Sequence, residues 1–426
     1  MKNVISIVLL FILPFMVGAK EYQLTELLLL AESHHPLAAQ FDAQKQITDA
    51  KQKNLITNYY PSLSLNGSAL YNSSIVDFSK VTAGLPPQIN LQFPQMPHEQ
   101  YKATVGLNQL IWDGGSTSKS MDLEKLDNQI SAQCVVSDVA QIKTQIAELF
   151  YSVITLGKQR EIIELYNETI SERIKTLQVG VDAGAAMQMN VDIMDAEQIK
   201  NGQMLDEIDI SLGVLHSALS RLTGIDITSD DKFMLKEIVL GEVKELSRPE
   251  LKLFDLQKEK LTKSGEMIGT TLMPKAALFA EAGYGKPAGA NFFSEDFEFY
   301  YSFGASLKWN FFDWFKTRRS VEITEISKDL VNSQSANFTR NIQIALDNTS
   351  GEIEKLSKSI IADARIIAIR EEVTKTAEIR LNAGVITSTE YLTEFNAERQ
   401  ARLSLETHLV QLEQSKAKYL LIAGKL

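Results

Sequence analysis

One kind of segment, a predicted strand that leads into a long helix, occurs twice in this chain, two hundred residues apart. Residues 107–120 read LNQLIWDGGSTSKS, and residues 307–320 read LKWNFFDWFKTRRS. In both, a strand pattern that ends in aromatic residues runs into an aspartate, and a long helical pattern follows. The same spacing separates Gly184 from Gly384 and Gly224 from Gly424. A unit that returns at a fixed spacing indicates a tandem duplication of one strand-to-helix architecture.

Charge and cysteine content exclude several classes of protein. The formal net charge is −11 and no cluster of Lys and Arg stands out, so we expect no nucleic-acid partner. The single cysteine, Cys134, excludes an internal disulfide and a cysteine-based metal site. Because it occupies an apolar position of a helical pattern, we predict that it is a small core residue. We expect no metal and no cofactor.

Residues 1–19 have the pattern of a secretory signal peptide. Lys2 supplies a positive charge, Val4 to Phe15 is apolar, and small residues precede a predicted cleavage after Ala19. An uncleaved anchor helix is the alternative, although the apolar run is short for one. The sequence therefore predicts an exported protein, and it offers no other stretch apolar enough for a membrane-spanning helix.

The first predicted repeat covers residues 20–224. After an initial helical segment, period-2 alternation predicts strands at about 61–72 and 101–112. A long helix is predicted at about 114–181, since this stretch contains no proline and carries a heptad seam that includes Ile142 and Ile146. A returning helix is predicted at about 186–222.

Residues 225–247 are interpreted as an equatorial linker segment, and residues 248–426 as the second repeat. It begins with a helix, as the first repeat does. The further predicted elements are strands at about 274–285 and 298–312, a long helix at about 315–381 and a returning helix at about 388–423.

One face of each predicted strand is apolar or aromatic, and the other is polar. We predict that the following aromatic residues face a membrane: Tyr71, Tyr101, Tyr284, Tyr301, Phe303, Trp309 and Phe311. Four strands of this length suit a tilted transmembrane β-barrel, which needs about 9–11 residues per strand. Four strands cannot close, and open edges cannot lie in hydrocarbon, so chains must assemble. Two chains would give a filled eight-strand barrel, and three would give twelve strands around a water-filled pore.

The whole chain resembles the TolC family of outer membrane efflux proteins. The resemblance is carried by Leu24-Thr25-Glu26, Tyr60 to Leu65, Gln109 to Gly115, Asp195 to Gln198 and Arg380 to Ser388, in this order and spacing. It implies an α+β membrane protein whose four transmembrane strands per chain contribute to a trimeric twelve-strand barrel, continued by a periplasmic α-helical barrel of coiled-coil hairpins. It also implies a Gram-negative outer membrane location and a passive channel.

The resemblance also implies partners. A homotrimer in outer membrane lipid would dock to a periplasmic adaptor (membrane fusion) protein and an inner-membrane RND or ABC transporter, in a tripartite efflux pump or type I secretion system. The docking tips would be the two helical turns, which are Asp182, Ala183, Gly184, Ala185, Asn382, Ala383, Gly384 and Val385. The alternative for both turn glycines is a simple helix C-cap.

A periplasmic constriction is implied just inside these tips. Its predicted residues are Glu390, Thr393, Asn190 and Asp192. Three copies of Glu390 on one ring would repel one another, raise one another's pKa and attract cations. An ordinary solvated helix residue is the alternative for Glu390. The polar latch of some family members is not evident, because Leu381, Ile386 and Asn190 occupy its positions.

Two other functional classes are weighed against the exit duct. A structural or adhesive outer membrane protein, with periplasm-spanning helices and no pore, would have the same strands and helices. An enzyme is disfavoured, because the sequence has no Cys–His site, no nucleophile elbow and no Gly-rich phosphate loop. Conductance would separate the channel from the structural protein.

Overall fold

The computed structural model of the chain describes residues 20–34, 36–76, 96–241 and 245–426. The predicted signal peptide, residues 1–19, lies outside the described residues, as does most of the first inter-strand loop. Contacts divide the chain into two compact units, and each unit contains segments of both predicted repeats. One unit, which we call the helical unit, comprises the segment up to Ala39, Val135–Pro249 and Asn337–Leu426. The other, which we call the sheet unit, comprises Gln40–Cys134 and Glu250–Ala336.

The elements follow the order expected of a duplicated chain. The strands are β1 (Glu21–Tyr22), β2 (Ser62–Tyr71), β3 (Glu99–Trp112), β4 (Lys232–Phe233), β5 (Lys275–Lys286) and β6 (Glu298–Lys308). The helices are α1 (Leu24–His34), α2 (Ala38–Ile56), α3 (Ser116–Asp182), α4 (Gln188–Thr223), α5 (Pro249–Gly269), α6 (Lys316–Asn382) and α7 (Ser388–Ala423). No helix among these described residues is apolar over a long enough stretch to cross a membrane.

The sheet unit contains one four-stranded antiparallel sheet in the order β2-β3-β5-β6. The β2–β3 hairpin belongs to the first repeat and the β5–β6 hairpin to the second. The two hairpins join through pairs that run from Tyr101↔Lys286 to Trp112↔Ala276. Strands β2 and β6 are therefore the open edges of this sheet within one chain.

The same local chemistry leads into the sheet in both repeats. Short 3-10 turns follow α2 and α5, and each ends at a residue that precedes a proline, Tyr60 before Pro61 and Met273 before Pro274. Both residues have extended backbone, as expected because the proline ring disfavours the helical region for its predecessor. The chain is thus turned from helix to strand at equivalent places.

The second strand of the second repeat is shorter than predicted. Strand β6 ends at Lys308, whereas the aromatic alternation continues to Phe311. Lys308 pairs with Lys275, the first residue of β5, and Pro274 before it has no backbone N–H to extend the ladder. Trp309 instead donates its indole N–H to the carbonyl of Leu272 at 3.0 Å.

The long helices and the helices that return from them form two hairpins of equal length. Helices α3 and α6 each have 67 residues, and α4 and α7 each have 36. At about 1.5 Å per residue, each 67-residue helix is on the order of 100 Å long. Gly224 and Gly424 end the returning helices in the left-handed conformation, where a residue without Cβ is favoured.

Two apolar clusters stabilise the helical unit. The larger contains Ile146, Phe150 and Val153 of the predicted seam, packed against α1, α4 and the end of α7. Strand β4 pairs with β1 in parallel, and Phe233 packs against this cluster, so the segment around β4 covers it. The smaller cluster lies towards the turns and includes Tyr391 and Phe395. Cys134 is half-buried, which corrects its prediction as a core residue.

The initial helical segment is two helices, and not one as the pattern suggested. Helix α1 ends at His34 and α2 begins at Ala38, on either side of Pro36. A proline in a helix interior removes one hydrogen bond and clashes with the preceding turn, so the break falls here.

Candidate functional site

One face of the sheet is a continuous apolar surface. Leu65 on β2 is 79% exposed and Phe303 on β6 is 80% exposed, values that a water-soluble sheet would avoid for such side chains. Further exposed apolar residues of this surface are Leu63, Val105, Leu107, Leu278, Phe299 and Leu307. A contiguous apolar face of this extent requires a nonaqueous partner.

The aromatic residues predicted to face a membrane are all exposed in the single chain: Tyr71, Tyr101, Tyr284, Tyr301, Phe303, Trp309 and Phe311. Strand register places Tyr284 opposite Phe299. Phe297, which the sequence analysis missed, stacks on Tyr101 and Tyr284, with ring centroids 6.1 and 5.8 Å apart. Trp309 and Phe311 were predicted as strand residues, but they lie beyond the end of β6 at Lys308.

The opposite face of the sheet is mainly polar. Asn66, Ser68, Lys102 and Glu281 line an open cavity of about 650 Å³ on this face. The Tyr300 hydroxyl donates to Glu281 Oε1 at 3.2 Å. The loop after β5 lies against the same face. A Cβ on Gly289 would stand only 3.1 Å from the Tyr300 ring.

The junction between sheet and long helix is built in the same way in both repeats. Asp113 accepts hydrogen bonds from the backbone N–H of Gly115 at 2.9 Å and of Thr117 at 2.6 Å. Asp313 accepts from the backbone N–H of Thr317 at 2.8 Å and from its hydroxyl at 2.5 Å. Each aspartate therefore caps the first turn of α3 or α6.

Both junction aspartates are held ionised. Burial opposes ionisation of Asp113, but the hydrogen bonds donated by Thr117 and Gly115 outweigh it and lower its pKa. The Thr317 hydroxyl and backbone N–H likewise lower the pKa of Asp313. A fixed carboxylate at the start of a helix also interacts favourably with the helix dipole.

The two helical turns have matching geometry. Gly184 and Gly384 have φ of 74° and 67°, in the left-handed region that glycine favours. In each turn the glycine N–H donates to a carbonyl three residues earlier, and the next N–H donates to one five residues earlier. These bonds form a helix C-cap, as the alternative interpretation expected. All eight predicted tip residues are exposed: Asp182, Ala183, Gly184, Ala185, Asn382, Ala383, Gly384 and Val385.

The structure brings two of the four predicted constriction residues together. Glu390 and Thr393 of α7 line one groove with Arg380 and Ile386. Asn190 and Asp192 lie in the first turns of α4, outside the lining of that groove. Asp192 accepts a hydrogen bond from the Gln188 amide at 3.0 Å.

Glu390 has a local role that the sequence analysis missed. It forms a capping box with Thr387: its carboxylate accepts from the Thr387 N–H at 2.8 Å, while its own N–H donates to the Thr387 hydroxyl at 3.2 Å. The hydrogen bond from the Thr387 backbone is the main reason that the pKa of Glu390 is lowered in the single chain. The signal was present in the sequence as Thr387-Ser-Thr-Glu390. At the equivalent start of α4, Met187 makes no side-chain cap.

A charged network inside the helical unit was also missed. Arg399 donates to Asn201 at 2.6 Å and to Glu197 at 3.3 Å, and only 7% of Arg399 is exposed. Next to it, Tyr166 and Arg402 both donate to Glu398 Oε1, each at 3.0 Å. Arg173 of α3 also forms an ion pair with Glu378 of α6. No local signal reveals these groups, because most partners lie about two hundred residues apart.

Comparisons with solved structures show where this fold occurs. The chain superposes on the outer-membrane channel OprN with a TM-score of 0.68, at 14% identity, over 95% of this chain and 90% of that one. For the outer membrane protein VceC from Vibrio cholerae the TM-score is 0.65, at 14% identity, over 94% of this chain and 96% of that one. The open state of the Neisseria gonorrhoeae MtrE outer membrane channel gives 0.65, at 13% identity, over 95% and 89%.

Comparison of the sequence with protein-family models and with curated proteins gives no match. The structural likeness covers nearly the whole chain and nearly the whole of each neighbour, so it concerns the complete architecture. The chain therefore has the fold of TolC-like outer membrane channels, as its sequence resemblance predicted.

Proposed function

We propose that this chain forms a trimeric outer membrane channel, a passive exit duct of a tripartite efflux pump or type I secretion system. One observation carries the proposal. A four-stranded sheet with an exposed apolar face leads directly into two 67-residue helices through Asp113 and Asp313. The apolar face requires lipid, whereas the helices carry charged residues along their length and require water.

The length of the sheet fits the hydrocarbon layer. From Phe299 to Trp309 the chain advances ten residues, or about 33 Å at ~3.3 Å per residue. Tilted by about 40°, as in transmembrane barrels, this distance spans roughly 25 Å, which is the height of the apolar band of such barrels. Exposed aromatic residues lie at both ends of this distance, where barrels have their aromatic girdles.

The open edges of the sheet support assembly of three chains. Unpaired backbone groups at the β2 and β6 edges cannot face hydrocarbon, so each edge must pair with another chain. Two copies would give eight strands, whose interior is filled by side chains. The polar inner face, with Lys102, Glu281 and Ser302, suits a water-filled lumen and therefore twelve strands.

The turns of the helical hairpins are the proposed contact with a periplasmic adaptor, which connects the duct to an inner-membrane RND or ABC transporter. Exposed apolar side chains at the turns, Val385 in one and Met187 in the other, support a protein partner at this end. We propose the ring of Glu390 and Thr393 as the periplasmic constriction, with Asn190 and Asp192 near it on the other hairpin.

Conductance of the purified protein in a planar bilayer, with particle images from electron microscopy, tests the proposed function. We expect discrete cation-selective steps from a particle with threefold symmetry. A threefold particle without conductance, even after the Glu390 ring is removed, would instead support a structural protein with no pore. A monomer in detergent that never inserts into the bilayer would contradict the barrel.

A further inference from the structure

Two consecutive aromatic residues at the start of α6 adopt a backbone conformation that glycine favours. Trp314 and Phe315 have φ of 54° and 62°. At the equivalent place in the first repeat the chain has Gly114 and Gly115, with φ of 73° and 85°. Residues other than glycine rarely adopt positive φ, because their Cβ is then too close to the backbone. Two glycines would therefore form this turn more easily than Trp314 and Phe315 do. Aromatic residues held there point to a use for their side chains.

The two side chains extend into solvent in the single chain. Trp314 is 76% exposed and Phe315 is 57% exposed. Phe312 contacts both, with ring centroids 5.0 Å and 5.9 Å away, and Trp309 contacts Phe311 at 5.9 Å. Five exposed aromatic rings thus lie within residues 309–315, next to the apolar face of β6.

The first repeat could not hold an aromatic residue at the first position of this pair, although a Cβ on Gly115 would meet open space. A Cβ on Gly114 would lie 2.5 Å from the Met273 Cβ, so a side chain does not fit there. The aromatic pair is therefore a property of the second repeat alone, and the first repeat serves as an internal control.

Three cations follow the aromatic pair. Lys316, Arg318 and Arg319 are exposed in the first turn of α6. The first repeat has Ser116, Ser118 and Lys119 at these positions, and Lys119 is paired with Glu266 at 2.5 Å. Aromatic rings beside lysine and arginine are the composition of a membrane–water interface, where rings lie at headgroup level and cations bind phosphate.

We propose that residues 309–319 form an interfacial anchor that binds anionic phospholipid. Trp314 and Phe315 lie at headgroup depth on the helical side of the sheet, and Lys316, Arg318 and Arg319 bind the lipid phosphate groups. This inference rests on the proposed function, because it requires that the apolar face of the sheet lies in a bilayer. It adds a lipid class and the residues that select it.

Tryptophan fluorescence can test the anchor, because the chain has only three tryptophans. The double variant Trp112→Phe/Trp309→Phe retains Trp314 alone. The full-length protein is reconstituted in mixtures of phosphatidylcholine and phosphatidylglycerol, with bromine atoms on the acyl chains of one lipid at a time. Quenching then gives the relative binding of the two lipids beside Trp314.

We expect Trp314 to be quenched by brominated lipid and to report a preference for phosphatidylglycerol of about fivefold or more, the effect of at least one lysine or arginine near an anionic surface. In this background, Lys316→Gln/Arg318→Gln/Arg319→Gln should return the ratio to about one. The matched control, Trp309→Phe/Trp314→Phe, retains only Trp112 beside Gly114 and should show a ratio near one.

Three results would overturn the anchor. In the first, aqueous acrylamide quenches Trp314 and bromolipid does not. In the second, a second copy or another protein shields Trp314 from both quenchers. In the third, the preference for phosphatidylglycerol persists in the triple glutamine variant. Conductance of the same preparations separates the proposed anchor from the proposed channel. Normal conductance together with any of these three results would refute the anchor and leave the channel intact. A wild-type protein that never inserts into the bilayer contradicts the channel itself. If the single-tryptophan variants fail to fold, native mass spectrometry of phosphatidylglycerol bound to the wild type and the triple variant decides.

Discussion

At the residue scale, Glu390 combines a local structural role with a proposed functional one. Its carboxylate closes the capping box with Thr387, and its side chain also lines the groove beside Thr393. The capping box fixes where the carboxylate points, so a ring of three copies would have a defined position. The two roles can be separated, because one depends on hydrogen bonds and the other on charge.

The capping box predicts a pH dependence at the start of α7. The folded pKa of Glu390 is lowered by the hydrogen bonds from Thr387, so its stabilisation is present above the ordinary carboxyl pKa and is lost as the pH falls through the folded value. We expect the first-turn amides of α7 to lose protection in acid, measured by hydrogen exchange corrected for intrinsic rates. Glu390→Gln should remove this dependence, and α4, whose Met187 has no side-chain cap, should not show it. An equal acid response in Glu390→Gln would contradict the assignment.

Ion selectivity tests the charge of Glu390. Glu390→Gln keeps a residue that can close a capping box but removes the charge, so we expect lower cation selectivity in a planar bilayer. Thr387→Ala removes the cap, at a cost of about 1 kcal/mol to helix stability, but keeps the charge and should keep the selectivity. Unchanged selectivity in Glu390→Gln would remove Glu390 from the constriction.

At the scale of single elements, the uninterrupted length of α3 is the feature on which the proposed assembly depends. Ile146 lies in its middle, fully buried in the larger apolar cluster. Ile146→Pro should destabilise the helix by about 3 kcal/mol or more, through a lost hydrogen bond and a clash with the preceding turn. We expect loss of the trimer in light scattering. Ile146→Val, which costs about 0.5–1.5 kcal/mol, should retain it. A normal trimer with proline at this position would refute a continuous tunnel wall.

The turn at Gly384 is the element proposed to contact the adaptor. A Cβ there would meet open space, so a substitution acts through the backbone conformation and not through a clash. Gly384→Val should distort the turn and reduce export from cells without loss of the trimer, because β-branched residues disfavour positive φ. Gly384→Asn should behave nearly as wild type, since asparagine tolerates this region. Full export by the valine variant would exclude the turn from docking.

At the scale of the whole molecule, the ion pair between Arg173 of α3 and Glu378 of α6 joins the two repeats. Both side chains are partly exposed, so the pair contributes about 0.2–1 kcal/mol, enough to shift an open–closed equilibrium by no more than about fivefold. If this pair favours a closed tunnel, Arg173→Glu should raise the open probability in bilayer recordings within that range. The exchanged pair Arg173→Glu/Glu378→Arg should restore the wild-type value. A double variant that behaves like the single one would show that the pair does not couple the helices.

Local periodicity and backbone chemistry were enough to predict the features that depend on neighbouring residues. Period-2 alternation identified the strands and the exposed face with Tyr301 and Phe303, and the heptad seam identified the long helix around Ile146. Glycine marked both hairpin turns, because few other residues adopt positive φ there. The resemblance to the TolC family rested on the order of such local motifs, and comparison with solved structures confirms the fold that this resemblance implied.

Features that depend on distant partners became evident in the folded chain. The end of β6 at Lys308 follows from where β5 begins, thirty-three residues earlier in the chain. The contacts of Arg399 with Asn201 and Glu197 join residues about two hundred positions apart, which periodicity cannot pair. The left-handed conformation of Trp314 and Phe315 was likewise hidden, because their side-chain types favour other backbone regions and the fold imposes this one.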